Sequence, residues 1–182
     1  MLSEFGPDQA DELISAVRSH PERWFDPLFE VLSTGEIRQG NDVRDAWSFL
    51  VALASEAAAA RVDESLKVLK SNVASHPILV AQIASGLDSP GSDRLLEALG
   101  RHRDAEVRWT AVRALGARRT TESRALLLNS INDPSRLVRS AVIDALATDS
   151  DATGRRALSR FATQWATKDP DLAAIAEQAA RQ

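Results

Sequence analysis

Apolar residues recur at every third or fourth position along most of the chain, which is the spacing of one face of an α-helix. Leu158, Phe161 and Trp165 show this spacing clearly, and we expect them to form core. Each of the seven prolines stands where a first helical turn would begin, a position at which the missing N–H costs nothing. The pattern predicts ten or eleven helices, at about 7–19, 26–33, 41–59, 63–74, 77–87, 92–102, 105–117, 121–132, 135–147, 152–166 and 170–181.

An internal repeat connects these helices in the second half of the chain. Its first copy, at 104–116, has the pattern D-x-x-V-R-x-x-A-x-x-A-L-G. The V-R pair recurs 31 residues further on, after Asp133, and a third copy begins at Asp169 with Ala173 in the Arg position. Weaker copies upstream complete a series that begins at residues 42, 76, 104, 133 and 169. The chain therefore reads as one array of about five helical pairs.

The repeat resembles the HEAT repeat, in the short form found in phycobilin-lyase-type proteins and bacterial adaptors. The resemblance implies an all-α fold, a right-handed α-solenoid of about five stacked helical hairpins. We expect a single domain over 1–182, with divergent repeats and a cap at 1–91 and clear repeats with a capping helix at 92–182. The resemblance also implies a structural ladder, a row of Asp and Arg side chains that connects successive repeats, formed by Asp104, Arg108, Asp133 and Arg139.

Small residues within the repeat make specific packing predictions. Ala111 and Ala145 should allow neighbouring helices to approach closely, and the repeat Asp should cap the helix that follows it. Gly116 is expected to supply the left-handed residue that ends its helix. At the carboxyl terminus, a capping helix should seal the last apolar layer with Leu172, Ile175, Ala176 and Ala179.

Composition removes several classes of function. The 182 residues include no Cys, which excludes a disulfide framework and a Cys-ligated metal. The start of the chain lacks the pattern of a signal peptide, and no apolar run is long enough to span a membrane, so we expect a cytoplasmic protein without membrane contact. No motif for nucleotide binding, a metalloprotease or a serine hydrolase occurs, and we predict a non-enzyme without cofactor or metal.

The charge is distributed unevenly. The net charge is −4, but residues 1–90 contain 14 acids and 7 bases, whereas residues 91–182 contain 12 acids and 15 bases. Arg provides 19 of the 22 bases, and Arg favours planar, bidentate contacts with carboxylate or phosphate. By family resemblance, the second helix of each pair lines the concave face. Its polar positions are the predicted binding row: Arg94, Glu97, Arg101, Arg124, Asn129, Arg156, Arg160 and Gln164.

The favoured hypothesis is a monomeric scaffold, adaptor or inhibitory partner that binds the acidic surface of another protein through this row. Trp109, which lies beside Arg108 and Arg113, marks an alternative site on the first helices. A second hypothesis is nucleic-acid binding, or chemistry like that of the HEAT-like alkylpurine DNA glycosylases. The acidic overall charge and the three Lys argue against this hypothesis. A phycobilin lyase-like subunit is a minor alternative that depends on the repeat subtype alone.

Overall fold

A computed structural model describes residues 7–34, 43–148 and 151–182. These residues form eleven α-helices and one short 3-10 helix, Pro21–Arg23, and contain no strand. The all-α prediction is therefore confirmed, and the helix ends lie within three residues of their predicted positions. The helices are α1 Pro7–Ser19, α2 Phe25–Thr34, α3 Val43–Ala59, α4 Val62–Ser71, α5 Pro77–Ser85, α6 Pro90–Leu99, α7 Ala105–Arg118, α8 Thr121–Ser130, α9 Arg136–Ala147, α10 Ala152–Trp165 and α11 Pro170–Ala180.

The chain divides into two compact units, Met1–Leu95 and Leu96–Gln182. In the first unit α3 is the central helix, since it contacts α1, α2, α4 and α5. Its buried face carries Leu50, Leu53 and three alanines, and α2 contributes the tilted ring pair of Phe25 and Phe29. The weak repeat start at Asp42 lies outside the described residues. A single continuous array over 1–182 stays a prediction.

The second unit contains two layers of helices. One layer consists of α7, α9 and α11, and the other contains α8 and α10. Neighbours within a layer run in the same direction. Arg124 near the start of α8 lies 3.8 Å from Asp151 at the start of α10, and Asn132 just past α8 bonds Trp165 at the end of α10. Leu127, Val138, Val142, Leu158 and Phe161 belong to the core shared by the two layers.

Gly116 has a different role from the predicted one. It lies inside α7, and a Cβ built on it would stand 2.6 Å from the Cβ of Ala145 on α9. The left-handed residue that ends α7 is Arg119, with φ 52°. The prediction for Gly116 is wrong because a tertiary contact, the close approach of α7 to α9, requires the glycine there. Ala111 is fully buried, as the close-approach prediction requires.

The carboxyl-terminal helix α11 packs against both α9 and α10. Leu172, Ala176 and Ala179 are buried, as expected for a helix that covers the last apolar layer. Ile175 is 50% exposed, so its assignment to the sealing face is wrong, and Ala173 is buried instead. The small Ala173 occupies the repeat's Arg position and packs inside.

No helix in the described part of the chain combines the length and the apolar character that crossing a bilayer requires.

Candidate protein-interaction site

Arg108, Asp133 and Arg139 form the ladder that the family resemblance implied, with Asp169 as its last carboxylate, whereas Asp104 serves as the N-cap of α7. Arg108 on α7 donates two hydrogen bonds to the carboxylate of Asp133, each 2.8 Å long, and this bidentate pair is largely buried. The guanidinium also donates to the backbone carbonyls of His102 and Arg103. Because Nε and both Nη atoms of Arg108 donate hydrogen bonds to groups of the fold itself, Arg108 is a structural residue.

The next step of the ladder keeps the pairing of Arg with Asp but not the bidentate geometry, because the buried Nε of Arg139 has no hydrogen-bond partner among the described residues. Buried Arg139 on α9 donates to the carbonyls of Asp133 and Pro134 and reaches the carboxylate of Asp169 at 3.4 Å. Arg136 binds the same carboxylate at 2.9 Å. The ladder ends at Asp169, since Ala173 stands at the Arg position of the third repeat.

The ladder carboxylates also organise the helix starts. Asp104 and Asp169 are N-caps, as predicted, and accept backbone N–H groups of α7 and α11. Asp133 is not an N-cap, because Ser135 holds that position, but its carboxylate accepts the Ser135 amide at 2.8 Å. The two-residue insertion of Pro134 and Ser135 before α9 accounts for this difference.

These contacts change the acidity of Asp133 and Asp169. Burial opposes ionisation of Asp133, but hydrogen bonds from Arg108 and the Ser135 amide outweigh it and lower the pKa of the carboxyl. The pKa of Asp169 is lowered in the same way, against burial, mainly by Arg136 and the Leu172 amide. Both side chains are therefore ionised over the physiological range and take part in fixed ion pairs.

Trp165 connects the ladder to the second layer. Its ring stacks on Phe161, with centroids 5.4 Å apart, and the guanidinium of Arg139 lies 4.1 Å from the ring centroid. The indole N–H donates to the side-chain oxygen of Asn132 at 3.0 Å. Trp165 is half-buried and packs against the core, as its spacing predicted.

A groove runs between α8 and α10 on the outer side of their layer, with a cavity volume of about 300 Å³. We call it the α8/α10 groove. One wall is polar and contains Thr153, Arg156, Arg160 and Gln164 of α10, and the other contains Leu128, Ile131 and Asn132, with Ala157 and Phe161 completing the lining. The groove therefore brings together three of the predicted binding residues, Arg156, Arg160 and Gln164.

The two groove arginines differ from the ladder arginines in their contacts. Among the described residues, neither Arg156 nor Arg160 has a carboxylate within 4 Å, and no acid lines the groove. The one hydrogen bond shown for Arg156 goes to the hydroxyl of Thr153 at 3.4 Å. Both side chains are exposed, so their charge is directed to solvent and to any molecule that enters the groove.

The other predicted row residues lie elsewhere. Arg124 is half-buried beside Asp151, and Arg101 forms an exposed i, i+4 pair with Glu97 at 2.7 Å. Asn129 is exposed on α8 but does not line the groove. Arg94 is exposed on α6 and belongs to the first compact unit, apart from the unit that contains the groove.

Trp109 lines a second groove, between α7 and α9, of about 630 Å³. Its half-buried ring packs on the core, and the guanidinium of Arg113 lies 5.0 Å from its centroid. This α7/α9 groove has Arg113 and Arg119 on the α7 wall and Asp144 on the α9 wall. It lies on the first-helix layer and carries both signs of charge.

Sequence reasoning missed the apolar wall of the α8/α10 groove. Leu127, Leu128 and Ile131 share the spacing of a buried helix face, and Ile131 is buried in the core, but Leu128 is only partly buried and lines the groove. A signal was present. Residues 126–128 are three consecutive leucines. Together they make the apolar part of the helix surface wider than the single stripe that a buried face needs.

The repeated hairpins and their Asp–Arg ladder define a helical repeat protein. Residues 92–181, about half of the chain, match the family model for HEAT repeats. The chain belongs to the HEAT-repeat family through this half, and that family consists of helical solenoids that typically act as non-catalytic scaffolds for protein interaction. Comparison with curated proteins and with solved structures finds no match.

Proposed function

We propose that the chain is a non-catalytic scaffold that binds an acidic partner protein through the α8/α10 groove. The partner would place carboxylates beside Arg156 and Arg160 and an apolar side chain between Leu128 and Ala157. An adaptor and an inhibitory subunit would both use the groove in this way.

The observation that carries this proposal is the division of the arginines into two sets. Ladder arginines such as Arg108 and Arg139 are held by carboxylates and carbonyls of the fold. Arg156 and Arg160 have no acidic partner in the described structure, although they lie beside apolar surface in a concave site. Exposed charges contribute little to stability but act strongly on association rate and specificity, so these two arginines are suited to recognition.

Affinity capture from native cell extract tests the proposal. The full-length chain is immobilised as wild type, as Arg156→Glu/Arg160→Glu, and as Arg113→Glu/Arg119→Glu. The last variant is a matched control, because it makes the same charge change on the α7/α9 groove of the same unit. We expect one protein to be recovered in near-stoichiometric amount by wild type and control and to be lost with the Arg156 and Arg160 reversals.

The other outcomes contradict the proposal. Equal recovery on all three baits would show that the α8/α10 groove is not the site. Loss only with the Arg113 and Arg119 reversals would place binding at Trp109. Recovery of no stoichiometric protein would count against a scaffold function. Arg124→Glu is unsuitable as a test, because it would place a like charge beside Asp151 and disturb the start of α10.

Titration with duplex DNA separates the protein partner from the nucleic-acid hypothesis. Arginines that contact phosphates release counterions, so DNA affinity would fall steeply as salt rises. We expect no binding at low salt. Salt-dependent binding that Arg156→Glu/Arg160→Glu abolishes would assign the groove to nucleic acid instead.

A further inference from the structure

We infer that the segment received by the α8/α10 groove is an amphipathic acidic helix of about three turns, with two carboxylates one turn apart beside an apolar face. This inference rests on the proposed function and specifies the partner's contact segment. The observation that supports this inference is that one wall of the groove is cationic and the other is apolar.

The cationic wall is a straight row along α10. Thr153, Arg156, Arg160 and Gln164 follow one another at intervals of three, four and four residues, so they lie within one narrow strip of the helix surface. A rise of about 1.5 Å per residue puts Arg156 and Arg160 about 6 Å apart along the axis, and the whole row spans about 16 Å. Carboxylates at i and i+4 of a partner helix have the same axial spacing.

The opposite wall and the floor require an apolar face on the same partner segment. Leu128 of α8 and Ala157 of α10 are partly exposed and supply the accessible apolar surface, whereas Ile131, just past α8, and Phe161 are 8% and 2% exposed and form the buried floor. A volume of about 300 Å³ spread over three turns accepts side chains but not a helix of about 10 Å diameter. The partner helix therefore lies over the groove and inserts its apolar side chains.

A helix fits this groove better than an extended strand. The groove lies between two helices whose backbone groups are bonded along their own axes, and the lining presents side chains without a free strand edge. An extended segment would leave its backbone N–H and C=O groups with few partners, whereas a helix satisfies its own. In helix-in-groove recognition, an amphipathic helix lays its apolar face into a groove of this kind.

Fluorescence anisotropy with synthetic helical peptides tests the inference on the full-length chain. The probe is a labelled, alanine-based peptide of about 16 residues with Glu at i and i+4 and Leu at i+1 and i+8, so that the acidic and apolar positions lie on adjoining faces. A control peptide has the same composition but carries its second Glu at i+2, on another face. A third peptide replaces both Glu by Lys.

We expect the first peptide to bind wild type at least about tenfold more tightly than the control peptide does. The Arg156→Glu/Arg160→Glu substitutions should weaken binding of the first peptide by at least about tenfold. The variant protein should bind the Lys peptide instead. Arg113→Glu/Arg119→Glu should leave the affinity for the first peptide unchanged.

Equal affinity for the two acidic peptides would overturn the helical register. Binding that survives reversal of both groove arginines, or no binding up to about 1 mM peptide, would overturn the inference as a whole. The proposed function fails separately. If a captured partner depends on Arg156 and Arg160 but the first peptide does not displace it, the groove is the site and the helical occupant is wrong.

Discussion

The Arg108–Asp133 pair provides the sharpest test of the ladder, and we predict that Asp133→Asn destabilises the second unit by about 2 to 4 kcal/mol. The Asp133 side chain is 8% exposed and that of Arg108 is 12% exposed, so the substitution leaves a buried guanidinium without its anion. It also weakens the acceptor for the Ser135 amide at the start of α9. In the variant, Arg108 still donates to the carbonyls of His102 and Arg103. The loss of unfolding free energy is therefore smaller than the largest values for a broken buried ion pair.

Urea denaturation followed by far-ultraviolet circular dichroism measures the free energy of unfolding. Amide hydrogen exchange in α7 and α9 then localises the loss to the second unit. The matched control is Glu97→Gln, which breaks the exposed Arg101–Glu97 pair and should cost less than about 0.5 kcal/mol. A free energy for Asp133→Asn that equals that of Glu97→Gln would refute the ladder as a stabilising element.

Three further predictions concern packing, backbone conformation and pH. Gly116→Ala should destabilise by about 1 to 3 kcal/mol in urea denaturation, because its methyl would stand 2.6 Å from that of Ala145, and Ala145→Gly in the same chain should restore part of the loss. Arg119→Gly should raise the free energy of unfolding by up to about 1 kcal/mol, since φ 52° strains any residue with a Cβ, and no gain over Arg119→Ala would contradict this. The lowered pKa of Asp133 means that its ionised form stabilises the fold above the unfolded pKa of about 4, and that this stability is lost as pH falls through the lower folded value. Thermal melts between pH 7 and about pH 3 should show a fall in wild type that is smaller in Asp133→Asn.

Helix positions could be predicted from the sequence because they depend on short-range periodicity, whereas the ladder was implied by the resemblance to the HEAT repeat. The 3.6-residue period fixes which face is apolar. The pairing of Arg108 in one repeat with Asp133 in the next is the contact that the family resemblance implied. Gly116 shows where this reasoning ends. A glycine near a helix end favours a left-handed cap, but the distance between α7 and α9 is a tertiary property that no local pattern reports.

The candidate site could be predicted only in part for the same reason. Arg156, Arg160 and Gln164 share one strip of α10, which the sequence shows. The pairing of Arg124 with Asp151 depends on two parallel helices in one layer, so no local pattern separates Arg124 from the groove arginines. Leu128 lines the groove because of the space between α8 and α10, although its spacing is equally typical of core.

Hydrogen exchange of the full-length chain with and without its captured partner tests the central claim most directly. We predict that the partner slows exchange in α10, 152–165, and at the end of α8 around Leu128 and Ile131, and that Arg156→Glu/Arg160→Glu abolishes this protection. Protection confined to α7 and α9, around Trp109 and Leu137, would contradict the assignment of the α8/α10 groove as the binding site.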